Sequence, residues 1–270
     1  MTIMNRAHGT FLLLGTGASA GIPVIGCPCD VCHSADVRNT RMRASALIAF
    51  EGKHILIDAG PDFHQQAIQY GVKKIDGLVI THTHYDHIGG LEELRIFAYA
   101  RKAPIPCLLT DTSLVHLKKL FYYFFDEHTA DKTTPTKFEF TILPKKRGRF
   151  DFCGLHLQYF TYSQPNMEVI GYRIGDLAYI TDIKEYPETI FDDLAGCKTL
   201  IISALRFGQS KLQFSIDEAV DFAKRVNASM TYFIHMSHEI EHNHLESLLP
   251  ANIRPAYDGL EIPFEYTSII

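Results

Sequence analysis

Ile80-Thr81-His82-Thr83-His84-Tyr85-Asp86-His87-Ile88-Gly89-Gly90 carries three histidines and an aspartate within six residues, directly after a short apolar run. Residues 77–80 read as the end of a strand, and in an extended chain His82 and His84, two apart, project to the same side. Asp86 and His87 fall in the turn that follows, ahead of two glycines and a helical pattern. A loop at a strand's end lets ligands converge without disturbing the sheet. Imidazole with carboxylate is a donor set for zinc, manganese or iron. The bland alternative is an accidental histidine cluster on a polar loop, and histidine is too uncommon for this register to arise readily by chance.

Outward from that run, short apolar stretches rich in β-branched residues recur at 11–14, 46–50, 54–57, 155–160, 169–174, 178–180, 199–202 and 230–234. Each is closed by turn residues and suits a buried strand. Helical patterns cover 61–70, 91–101 and 111–128, a fourth opens at Ser215, and a fifth covers 239–249. Asp111 or Thr112 is the expected N-cap of the third helix, and Ser215 with Glu218 has capping-box spacing. Strands come in consecutive pairs before a helix arrives. Two packed sheets with helices outside fit that order better than a doubly wound parallel sheet. Residues 130–149 read as a polar surface loop. No linker, repeat or composition break marks a boundary, so 1–270 is expected to be a single α+β domain.

Three local features take plain readings. Phe121-Tyr122-Tyr123-Phe124-Phe125 is aromatic all round its helix, which suggests core packing, with a cover over the site or a homodimer contact as alternatives. Lys145-Lys146-Arg147-Gly148-Arg149 reads as a solvated loop before it reads as a phosphate guide. Gly15, Gly17 and Gly21 follow a strand, but cysteines come where a dinucleotide-binding loop would open a helix, so a tight turn is expected.

The 270 residues are 46% hydrophobic and 21% charged, ordinary for a chain that buries a core. A net charge of -5 argues against a general nucleic-acid binder but leaves room for a small phosphorylated substrate. No apolar run approaches the roughly 20 residues that span a bilayer, and a cytoplasmic location with no membrane partner is expected. Cys27, Cys29 and Cys32 crowd together while Cys107, Cys153 and Cys197 are scattered. In such a compartment the cluster points to metal rather than disulfides, and the other three to buried apolar packing.

His82-x-His84-x-Asp86-His87 resembles the signature of the metallo-β-lactamase superfamily, which implies a four-layer αββα sandwich holding one or two metals. Ile55-Leu56-Ile57-Asp58-Ala59-Gly60 resembles its first motif, Tyr179-Ile180-Thr181-Asp182 the motif of the metal-bridging aspartate, and Phe233-Ile234-His235-Met236-Ser237-His238 its last. A narrower likeness joins Gly15-Thr16-Gly17, Cys27-Pro28-Cys29-Asp30-Val31-Cys32, His235-x-x-His238 and Tyr257-Asp258-Gly259-Leu260-Glu261-Ile262 to the PhnP-like phosphodiesterases, which hydrolyse cyclic phosphodiesters such as phosphoribosyl 1,2-cyclic phosphate. The likeness implies a structural zinc on Cys27, Cys29, Cys32 and His238, Asp182 as bridge, and Asp58 as support for the histidines. A Cys₃His set closes a tetrahedron and leaves no place for substrate.

The chain departs from that pattern twice. The family's histidine seven residues before a Gly-Tyr pair is Gln164 here, counted from Gly171-Tyr172, and its histidine near the substrate is Gln213. The first metal would keep His82, His84 and Asp182 with only an amide oxygen from Gln164, and is expected to be weak, altered in preference or empty. The second would keep Asp86, His87, Asp182 and His235. The expected activity is hydrolysis of a small cyclic phosphodiester by a metal-bound hydroxide, using one or two catalytic zinc or manganese ions beside a structural zinc, with Asp182, Asp58 and Gln213 assisting. The alternatives are a lactone or thioester hydrolase, or a catalytically weakened metal-binding protein.

Overall fold

The computed structural model describes residues 4–125 and 135–269. One seven-stranded sheet runs in the order β14 (Glu261–Ile269), β1 (Met4–Gly15), β2 (Ser45–Phe50), β3 (Lys53–Ile57), β4 (Gly77–Val79), β5 (Ile105–Leu109), β6 (Phe138–Ile142). The other runs β13 (Ile253–Pro255), β12 (Met230–Ile234), β11 (Thr199–Ser203), β10 (Leu177–Ile180), β9 (Met167–Ile174), β8 (Leu155–Gln164), β7 (Arg147–Phe152). In each sheet, strands joined by tight turns pair antiparallel and those joined through helices pair parallel, as in β2–β3 and β3–β4.

Alternation along single strands builds the layers. Phe11 and Leu13 of β1, Ile55 and Ile57 of β3, and Ile201 of β11 pack between the sheets with Tyr159, Tyr172 and Tyr179. Their neighbours Leu14 and Leu56 face outward under α1 (Phe63–Gln69), α3 (Arg95–Arg101) and α4 (Asp111–Leu120), the single turn α2 (Tyr85–Ile88) lying between α1 and α3. Leu200 and Ile202 face the opposite way, under α5 (Ile190–Leu194), α6 (Ile216–Val226) and α7 (His242–Leu248). Period-two side-chain projection thus feeds three apolar layers, the αββα sandwich expected from sequence.

Several local expectations need correction. The stretch 130–149 is not one surface loop: its described part contains β6 and the start of β7, where half-buried Phe138 meets Phe124 edge to face and Phe140 stacks on Phe125. Arg147 of the basic run lies in β7 and bonds Asp193, although Lys145 and Lys146 are exposed. The third helix is capped by Thr110, not Asp111 or Thr112, and stops at Leu120. Phe121–Phe125 therefore leaves the helix, with Tyr122–Phe124 forming a 3-10 turn; Phe121, Phe124 and Phe125 pack half-buried on the outer layer, while Tyr122 is exposed. Residues 126–128 of the expected helix lie outside the described residues. The capping box of Ser215 and Glu218 is present on α6, and Cys107 and Cys197 are buried while Cys153 is half-buried. Gly15–Gly21 forms a turn with no helix after it.

Candidate metal centre

All the strand ends that carry candidate residues open on one edge of the sandwich. Asp58 follows β3, Asp182 follows β10 by one residue, and His235 follows β12. All three have left-handed backbones, with φ of 59°, 57° and 55°. Such a conformation is uncommon outside glycine and costs about 1–3 kcal/mol. It bends the chain at the strand end and turns a polar side chain inward. Gly60 makes the close approach of the loops feasible, since a Cβ there would lie 2.0 Å from the Asp86 carbonyl oxygen.

Asp58 is fully buried and organises the histidines. It accepts from the Thr81 backbone N–H at 2.8 Å and from the Thr81 hydroxyl at 2.6 Å. That hydroxyl has one proton, so at its 3.0 Å contact with His82 it can only accept, and His82 Nδ1 must donate. His82 Nε2 is then a bare lone pair facing the site. His87 Nδ1 lies 2.7 Å from Asp58 Oδ2, which fixes its Nε2 inward in the same way. Sequence reasoning assigned Asp58 this support but missed Thr81, whose only signal was its place beside His82.

The inward atoms form two groups, each within 4.8 Å of one another: His82, His87 and Asp182, and Asp86, His87 and His235. Asp182 lies between them, with Oδ2 3.2 Å from His87 Nε2 and Oδ1 3.4 Å from His235 Nε2 and 3.9 Å from His82 Nε2. His84 belongs to neither group; its Nδ1 is 3.1 Å from His82 Nε2. Gln164 closes on that pair, its Nε2 3.2 Å from His82 Nε2 and 3.0 Å from His84 Nδ1. Gln213, also buried, donates from Nε2 to Asp182 Oδ1, and its Oε1 has no hydrogen-bond partner among the described residues. His116 of α4 reaches the Thr83 hydroxyl at 3.0 Å, a contact between distant segments with no sequence signature.

The electrostatics suit a cation. Burial pushes His82 and His84 down, so both stay neutral with lone pairs available. Burial would raise Asp86 and Asp182, but neighbouring His87 and His235 outweigh it and hold both carboxyls well below their usual range. Burial lowers His87, but Asp182, Asp86 and Asp58 together raise it well above its usual value. Three carboxylates gathered around one buried imidazole mark a place where a positive charge is wanted, and a divalent cation would supply it. His87 Nε2, though within ion-pair distance of two carboxylates, makes no hydrogen bond. An orphaned, inward-facing nitrogen amid carboxylates fits a metal ligand.

A separate cluster joins Cys27, Cys29, Cys32 and His238. The three sulfurs lie 3.3, 3.5 and 3.7 Å from His238 Nδ1. The backbone N–H of Cys32 and the His238 ring bring the Cys29 thiol down to about 6, toward the thiolate form that binds metal. Three thiols and one imidazole, converging from a loop and from the segment after β12, fit a closed tetrahedral zinc site.

Residues 53–236 match the model of the Beta-lactamase superfamily domain. A diphosphatase from the PhnP family is 33% identical in a solved structure, aligning over 97% of this chain and 100% of its own with a TM-score of 0.90. The octanoyltransferase of Porphyromonas gingivalis strain W83 is 33% identical over 254 residues. Those residues are 93% of this chain, which spans only half the length of that relative. The zinc-bound PqqB of Methylobacterium extorquens shares the fold, at TM-score 0.74 and 19% identity over 94% of this chain and 99% of its own. No described helix is long and apolar enough to cross a membrane. On its fold, its donor constellation and these likenesses, the chain belongs to the metallo-β-lactamase superfamily and to its PhnP-like branch, a fold of metal-dependent hydrolases.

Proposed function

We propose that this chain hydrolyses a small phosphodiester, cyclic in its natural form, at the centre formed by His82, His84, Asp86, His87, Asp182 and His235. The observation that carries the reading is the pair of buried donor groups sharing His87, with Asp182 between them. A PhnP-family diphosphatase, similar over its whole length, supports a phosphoryl compound as the substrate class. Divalent metal bound there supplies an activated water at neutral pH and neutralises charge developing on the phosphoryl group.

The chain's own residues do the positioning. Asp58 holds His87 directly and His82 through Thr81, so both imidazoles present Nε2 inward. Asp182 is kept ionised by its histidine neighbours, and the Gln213 N–H fixes its Oδ1. Gln213 cannot hand a proton to a leaving group, because an amide does not titrate in the working range. Turnover is therefore expected to favour leaving groups that depart without protonation.

Gln213 also supports the second reading, a weakened enzyme that mainly binds metal. A panel of bis(p-nitrophenyl) phosphate, a cyclic nucleotide, a lactone and a thioester, each with zinc and with manganese, separates the readings. Cleavage of the phosphodiesters above the other esters is the expected result. Faster thioester or lactone cleavage would overturn the substrate class, and no cleavage of any would favour the binding protein.

A further inference from the structure

Gln164 ends β8 and is almost fully buried, with its side-chain amide against two imidazoles. His82 Nε2, His84 Nδ1 and Gln164 Nε2 form a nearly equilateral triangle with edges of 3.1, 3.0 and 3.2 Å. His82 Nε2 is an acceptor, because its other nitrogen donates to Thr81. The Gln164 N–H₂ is therefore turned toward the lone pair that a metal would use. A half-turn of the carboxamide would bring Oε1 to the same point. In the other donor group His87 Nε2 makes no hydrogen bond, and His235 Nε2 has one long contact, 3.4 Å to Asp86 Oδ2.

We infer that Gln164 makes the two metal positions unequal in a defined way: the position at His82 and His84 fills second and prefers zinc over manganese less strongly than the other does, with the amide turning over on loading. This rests on the metal centre proposed above. Two arguments support it. The first position satisfies itself by short hydrogen bonds when empty, and loading must break them, whereas the second has only the long His235–Asp86 contact to lose. An amide oxygen is also a harder donor than an imidazole nitrogen.

The test is metal binding by the full-length protein, stripped with chelator, as wild type, Gln164→His and Gln164→Glu. Zinc is titrated by chelator competition and manganese followed by electron paramagnetic resonance. For wild type, two zinc equivalents are expected to bind tightly, one in the cysteine cluster and one at Asp86–His87–His235. A third should bind at least tenfold more weakly, with a smaller zinc-over-manganese preference than at Asp86–His87–His235. Gln164→His should tighten that third zinc at least tenfold and raise its preference for zinc. Gln164→Glu, nearly the same shape as the wild type and so expected to fold, should instead tighten manganese. Two equally tight zinc ions beyond the cysteine cluster in wild type, unchanged by both variants, would overturn the inference and leave the metal centre standing. No metal beyond the cysteine cluster in any of the three proteins would overturn the centre itself.

Discussion

Asp258 accepts two hydrogen bonds from one residue on the far side of the sequence, the Thr16 backbone N–H at 2.8 Å and the Thr16 hydroxyl at 2.7 Å. A third comes from the Met42 backbone N–H at 2.6 Å. The clamp matters to the site because Thr16 in turn accepts from Met236, the residue between His235 and Ser237, and Ala18 donates back to the Met236 carbonyl. One buried carboxyl thus holds the turn after β1 against the segment that supplies a ligand to each metal cluster.

Burial pushes Asp258 up to about 7, against the pull of its three donors and of Arg41. The folded chain therefore binds this proton more tightly than the unfolded chain, whose carboxyl titrates near 3.8. The stability linked to this group is complete below the unfolded value and is lost as pH rises through about 7. Asp258→Asn, which places an amide against backbone donors, should melt below wild type throughout. The gap should narrow between pH 5 and 8, because only wild type loses this contribution. A gap that stays constant or widens across that range would show that Asp258 is ionised in the fold at all these pH values.

The cysteine cluster predicts a coupled loss of metal and stability. Cys29→Ser removes a sulfur whose titration its neighbours depress. Metal-binding free energy at a structural site is folding free energy, and a chain of this size loses roughly 2–4 °C per kcal/mol. A fall in melting temperature on the order of 10 °C, with one fewer zinc per chain by elemental analysis, is the expected outcome. Unchanged zinc content would remove Cys29 from the ligand set.

Much of this arrangement is legible in the chain because ligands at strand ends leave short-range marks. His82, His84, Asp86 and His87 share one loop, and Asp182 and His235 each follow an apolar run that announces its strand. The strands that escaped carry proline or too little apolar contrast. Pro106 interrupts β5, and Pro263 interrupts β14, where an edge position tolerates it. Contacts that join distant segments could be read only where a family motif implied them, as for the three cysteines with His238. Thr16 with Asp258 and Thr83 with His116 depend on how the layers stack. The end of α4 at Leu120 was hidden too, since the aromatic residues after it continue an apolar pattern whether or not the backbone remains helical.

Removing one or the other of two adjacent ligands should have different consequences. Asp86 keeps a little exposure, and among the described residues its carboxylate pairs with His87 and His235. Asp86→Ala should abolish detectable hydrolysis and empty the second position while the melting temperature of the metal-free protein shifts little. His87→Ala should also abolish activity, but it strips fully buried Asp58 of its imidazole partner. Breaking a buried pair from one side typically costs about 3–5 kcal/mol, so this variant should melt well below Asp86→Ala when both are metal-free. Equal melting of the two would mean that the Asp58–His87 contact adds nothing to the fold, and full activity in either would end the metal-centre reading.

Thr81 offers the most selective probe of how the histidines are aimed. Its hydroxyl passes the Asp58 charge to His82, fixing which nitrogen of that ring carries the proton, while its backbone N–H independently holds Asp58. Thr81→Val keeps the side-chain shape and the backbone bond but deletes the relay. The His82 ring is then free to place its proton on Nε2, the atom that should face the metal. His87, held directly by Asp58, is untouched. Losses of partners that orient a ligand typically weaken metal binding about 10–100-fold. A drop of that size should appear at the position containing His82, with little change at the position containing Asp86 and His235. Manganese titration of metal-free wild type and Thr81→Val measures both positions in one experiment. A uniform loss at both would point instead to a general loosening of the loop, and no loss at either would show that the His82 tautomer is set by the metal rather than by Thr81.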